Sequence, residues 1–231
     1  MSSNAITPCW GYIGKMPAKG DFVKNGLSQE FTERWHDWQQ AIIAVSREQL
    51  GEGWHQYFLT APIWHFALDI SYMEDATYIG SVIPSVDSAG RYFFFTVVRP
   101  VEGNAVDYWE QSQWTQNSQD LAVAVLNDDF VFDAWARRLT DSGKTVLDDV
   151  PTAEVPLVHY KSKLSTIYEN TPQLSANGLL NQILGKEYKK PCFWWTEGSA
   201  TISPCMLITS GLPSIGQYAA MLDGNWQEWN W

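Results

Sequence analysis

Residues Tyr92-Phe93-Phe94-Phe95-Thr96-Val97-Val98 form a nearly unbroken apolar run of aromatic and β-branched side chains. Such residues favour strands. A strand without polar alternation has both faces covered, which places this segment inside a sheet with a packed layer on each side. Its neighbours supply the rest of the sheet. Trp64, Phe66, Leu68 and Ile70 alternate with His65, Ala67, Asp69 and Ser71, the period-two pattern of a half-buried strand. Tyr78–Ile83 reads as a further strand. The stretch Pro84–Gly90, rich in turn formers, predicts the loop of an antiparallel hairpin into 91–98.

Before these strands the hydrophobic period is 3.6. Phe31, Trp35, Trp38, Ile42 and Val45 share one face of a helix that Ser28 can cap and Gly51 can stop, spanning 28–50. Trp10–Met16 predicts a short first strand, and Trp54–Leu59 one or two more helical turns. After the hairpin, Asn104 and Asp107 open a broken helical region to Leu126, and Asp129 is placed to cap a helix through Trp135 to Leu139. Asp141–Pro156 is polar and reads as a linker or surface excursion. Leu174–Leu184 predicts a helix closed by Gly185, Cys192–Thr196 and Met206–Thr209 two strands, and Pro213–Leu222 a last helix. The expected class is α/β (α+β): one domain over 1–231, with a central, mainly antiparallel sheet flanked by helices.

Composition narrows the function classes. The 231 residues carry 15 Lys and Arg against 26 Asp and Glu, a net charge of −11. That field repels nucleic acid and anionic lipid and suits a basic protein partner. No apolar run approaches the roughly 18 residues of a membrane span. The opening Met1-Ser2-Ser3-Asn4-Ala5-Ile6-Thr7-Pro8 has neither the basic nor the apolar region of an export signal. Three widely spaced cysteines, Cys9, Cys192 and Cys205, argue against a disulfide framework. A cytoplasmic protein is expected. Thirteen Trp exceed what a core ordinarily needs, so part of the aromatic set is expected at a binding surface. Trp35, Trp38 and Trp64 are the possible anchors, with a core role as the alternative for the helical pair.

Two short loops carry most of the remaining chemistry. Gly14-Lys15-Met16-Pro17-Ala18-Lys19-Gly20-Asp21 resembles a phosphate loop only superficially. Met16 stands where a Ser or Thr should follow the lysine, and the glycine spacing is wrong. Pro84-Ser85-Val86-Asp87-Ser88-Ala89-Gly90-Arg91 holds a serine, a carboxylate and an arginine. It has no nucleophile elbow, because a strand and not a helix follows it. For both loops two readings stand open: a restrained turn in which Asp87 bonds local amides and Arg91 pairs with it or with Asp21, or a partner-binding surface made by Lys15, Lys19, Asp21, Ser85, Asp87 and Arg91. His36, His55, His65 and His159 show no metal-ligand spacing, and the cysteines form no Cys-x-x-Cys. No cofactor, no metal and no catalytic residue is expected.

In this order, four pieces resemble the TagF (ImpM-like) family of type VI secretion accessory proteins. Residues 11–22 fill a Gly-x-x-Gly-Lys-x-Pro-x-x-Gly-Asp-Phe pattern. Trp35-His36-Asp37-Trp38 matches a Trp-Asp-x-Trp-like helix with the Asp one place later. Ala61-Pro62-Ile63-Trp64-His65-Phe66 matches an Ala-Pro-x-Trp-Arg-Phe strand with His65 where Arg is expected. Residues 84–91 fill a Pro-Ser-Val-Asp-x-x-Gly-Arg turn, and Phe93-Phe94-Phe95 replaces a Phe-Pro-Leu stretch. The motifs lie within about 10–140, and 150–231 is a less recognisable portion. The resemblance implies a non-enzymatic, post-translational repressor of type VI secretion. Its implied partners are the forkhead-associated scaffold protein of the threonine-phosphorylation pathway and the pathway's phosphatase. A hydrolase or phosphatase using Ser85, Asp87 and Arg91, or a structural part of the secretion machine, are the rival classes.

Overall fold

The computed structural model describes residues 9–69, 76–142, 158–161, 166–168 and 175–231. Its centre is a seven-stranded sheet in which every pairing is antiparallel. The strands are β1 (Gly11–Gly14), β2 (Val23–Asn25), β3 (Trp64–Asp69), β4 (Thr77–Val86), β5 (Tyr92–Val101), β8 (Pro191–Thr196) and β9 (Cys205–Ser210). Their order is β2-β1-β5-β4-β3-β8-β9. A separate hairpin pairs β6 (Val158–Lys161) with β7 (Thr166–Tyr168). The expected Asp141–Pro156 excursion lies outside the described residues, except for its first two positions, which end a helix.

Helices cover both faces. On one lie α1 (Gln29–Leu50), α2 (Trp54–Leu59) and α7 (Ala220–Asp223), and on the other α3 (Ala105–Glu110), α4 (Thr115–Ala124), α5 (Phe132–Ser142) and α6 (Ala176–Tyr188). Phe94 and Val98 of β5 join the core under α1, and Phe95, Val97 and Val101 join the core under α3–α5. The second layer also revises β3. The expected half-buried strand is buried on both faces from Trp64 to Leu68, because α3 packs over the side that carries His65 and Ala67. Ile70 and Ser71 lie outside the described residues.

Helix α1 forms where its caps and its face agree. Ser28 Oγ accepts the Phe31 N–H at 3.1 Å, and Gly51 ends the helix at φ +56°. Its buried face reaches a single hydroxyl of the sheet: Trp35 Nε1 and Gln39 Nε2 both donate to Thr96 Oγ1 at 3.1 Å. A buried indole N–H requires such a partner.

Several element boundaries depart from expectation. The hairpin loop is shorter, because β4 continues through Pro84 and Ser85 to Val86. Pairing with β3 stops at Val82, so beyond it β4 has only β5 beside it and a proline without N–H is tolerated. Asp129 is not at the N-cap position of α5, which begins three residues later at Phe132. Helix α6 passes through Gly185 and ends where Lys189 takes φ +57°. The single helix expected at Pro213–Leu222 is a 3₁₀ turn, Ile215–Gln217, followed by α7. Side chains of the first layer claim carbonyls that a continuous helix would use: Trp38 Nε1 donates to Pro213 O at 3.0 Å and Gln49 Nε2 to Gly216 O at 2.8 Å.

Trp35 is 0% exposed and touches Phe31, Trp38, Phe66 and Trp194. Trp35→Ala is expected to lower unfolding free energy by about 3–5 kcal/mol, read by urea denaturation. A loss below about 1 kcal/mol would contradict the packing described.

A candidate interaction surface at the β1 and β4–β5 loops

The loop after β1 and the turn between β4 and β5 meet at one end of the sheet. Gly14 makes the approach possible. At φ +141° its Cα faces the β5 backbone, and a Cβ there would lie 2.1 Å from Phe94 O. Only glycine fits. Lys15 N–H then bonds Phe94 O at 3.2 Å, and Ser88 N–H bonds Lys19 O at 3.2 Å, so the loops are stitched through their backbones.

Asp87 stands at the junction with its side chain fully buried. Its Oδ1 accepts the N–H groups of Ala89 and Arg91, each at 2.9 Å. Its Oδ2 accepts Lys15 Nζ at 2.8 Å and Arg91 Nε at 2.6 Å. Arg91 reaches on to Gly20 O at 2.6 Å. Burial pushes the carboxyl up. The Lys15 ammonium, the Arg91 N–H and guanidinium, and the Ala89 N–H outweigh it and hold Asp87 well below the usual carboxylate range. Of the two partners the sequence allowed, Arg91 takes Asp87, not Asp21. Asp21 is exposed, as are Lys19 and Gly20. Lys19 Nζ sits 4.8 Å above the Phe132 ring of α5.

Ser85 is not part of this junction. It is a β4 residue, buried, with its hydroxyl directed to Val86 O at 3.5 Å. Asp87 has both oxygens engaged by cations and amides, and so is no free base for a serine. Among the described residues no group of three His, Cys, Asp or Glu is arranged to hold a metal ion. No helix among them is long and apolar enough to cross a membrane.

The three tryptophans expected as surface anchors are interior. Trp35, Trp38 and Trp64 are 0%, 8% and 2% exposed. Trp38 and Trp64 instead clamp the C-terminal segment, donating to Pro213 O and, at 3.1 Å, to Met221 O. Their helical and strand periodicity already allowed a core role. The tail follows them: Trp229 Nε1 bonds Asp223 Oδ2 at 2.9 Å, and Trp226 meets Trp64 edge-on.

Sequence reasoning missed a buried polar chain on the other face. His65 Nδ1 lies 2.7 Å from Ser81 Oγ, which lies 2.5 Å from Ser118 Oγ on α4. Gln119 also bonds the imidazole. The one signal was His65 in place of the expected arginine. Burial pushes its pKa down from 6.5 to about 4, against the opposing Gln119 bond.

The matching family model is the TagF N-terminal domain, type VI secretion system-associated, over residues 11–141. The chain belongs to this family. All of the motif residues above fall inside the TagF-matched span, whereas β8, β9 and α7 lie beyond it yet complete the same sheet and its first layer. The crystal structure of PA0076 from Pseudomonas aeruginosa PAO1 is similar at TM-score 0.74 and 26% identity, covering 93% of this chain and 94% of that one. No curated protein matches the chain. The TagF membership makes this a type VI secretion-associated protein, with an α+β fold shared along its length with PA0076.

Two pH effects follow. Asp87 is held ionised in the fold, so its contribution is present above the unfolded carboxylate pKa of about 4 and disappears as pH falls through the lower folded value. Asp87→Asn is expected to melt lower than wild type at pH 7, with the gap closing on acidification. A gap constant from pH 7 to acid would contradict it. His65 has the lower pKa when folded, so stability rises with pH between about 4 and 6.5 and is full above that. His65→Gln is expected to remove a component on the order of 3 kcal/mol from the stability change over that window. An unchanged pH profile would contradict it.

Proposed function

We propose that this protein is a non-enzymatic, cytoplasmic, post-translational repressor of type VI secretion that binds the forkhead-associated scaffold protein. The loops at 14–22 and 87–91 form the contact. The observation that carries this reading is the Asp87 junction, which fixes two loops of different strands into one surface. Within it Lys15, Asp87 and Arg91 brace, while Lys19, Gly20 and Asp21 face outward. A hydrolytic role lacks support: the Ser85 hydroxyl is buried and Asp87 is saturated. The reading treats the C-terminal portion as part of one domain with the motif-bearing part, and the extension of its sheet by β8 and β9 supports this.

Purified scaffold protein, pulled down by the full chain, tests this. Lys19→Ala is expected to weaken capture with an unchanged melting temperature, as a contact residue does. Arg91→Ala is expected to weaken capture and lower the melting temperature, as a brace does. Unchanged capture by both variants would overturn the assignment of these loops.

A further inference from the structure

Beside the junction, the chain runs from Asp21 into a groove between β2 and the first turns of α1. Its volume is about 290 Å³, and Phe22, Lys24, Thr32, Glu33, His36 and Asp37 line it. The apolar part is aromatic. Phe22 meets His36 edge-on at 4.8 Å, and both rings rest against Phe93. The acidic part is helical. Glu33 and Asp37 are exposed four residues apart on α1, so their carboxylates share one side of it. Lys24 lines the groove on the strand side, and His36 is the other basic side chain in the lining.

The strand side is an edge of the sheet. Among the described residues β2 is a terminal strand of the sheet, paired only with β1 through Tyr12, Ile13 and Gly14. Its other edge presents backbone donors and acceptors of the kind that extended peptides use. Edge, aromatic floor and paired carboxylates together specify one kind of occupant.

We propose that this groove receives an extended, basic segment of a protein partner, which adds to the β2 edge and lays an arginine or lysine against Glu33 and Asp37. The stem of that side chain covers Phe22 and His36, as long basic side chains do. The carboxylates select its charge, and Lys24 orients it toward α1. This rests on the reading of the chain as a partner-binding regulator and extends it by naming what the partner presents.

The probe is a fluorescent heptapeptide of alternating valine and arginine, titrated into the full chain by anisotropy. Controls carry glutamate for arginine, or N-methyl groups on alternate backbone amides. The double variant Glu33→Lys with Asp37→Lys reverses the groove. Asp128→Lys with Asp129→Lys reverses an acidic pair in the turn between α4 and α5, on the opposite layer, and reports attraction to the overall −11 charge. The arginine peptide is expected to bind wild type. Both control peptides and the groove variant are expected to bind about tenfold weaker or worse. The remote variant should lose less than about threefold, with melting temperatures unchanged throughout. Absence of arginine-peptide binding, equal binding of the N-methylated peptide, or equal losses in the two variants would overturn the proposal. The scaffold capture is read separately. Failure of wild-type chain to capture scaffold strikes the proposed function and leaves the peptide titration to judge the groove.

Discussion

One carboxylate organises this end of the molecule. Asp87 accepts two backbone amides of its own turn and two cations, one from its turn and one from the loop after β1. A buried charge is tolerated when paired and fully hydrogen-bonded, and strongly destabilising when a partner is removed. Each element of the junction therefore needs the others. Gly14 lets the loop cross β5, Lys15 brings charge to Asp87, and Arg91 ties the turn to Gly20. The outward-facing residues of the first loop inherit their positions from that carboxylate.

Much of the scaffold was legible because its determinants are local. The Ser28 cap, the apolar face of α1 and the apolar run of β5 each act within a few residues or along one element, and each appears in the structure. What could not be read depends on neighbours far along the chain. Burial of His65 follows from α3 packing over β3 and α4 over the neighbouring β4. Continuation of β4 through Pro84 follows from where β3 stops. The break after Pro213 follows from Trp38 claiming its carbonyl across 175 residues.

The candidate surface was half legible. Its two loops could be singled out by their Gly, Pro and charged residues, and opposite charges suggested pairing between them. The choice of Asp87 over Asp21 as the arginine's partner needed the turn geometry, because Asp87 already faces the Ala89 and Arg91 amides. The tryptophans misled for a physical reason. A large ring at helical spacing fits a core or an interface equally well, and here the C-terminal segment supplies the covering that a partner otherwise would. That segment lies beyond the family-matched span, so the covering was not visible in the motifs.

The most direct measurement is an NMR titration of the Asp87 side-chain carboxyl carbon in the chain of residues 1–231. If its two cations and two amides hold the junction in solution, the carboxyl stays ionised while exposed carboxylates titrate around pH 4. A midpoint for Asp87 in that ordinary range would contradict the account.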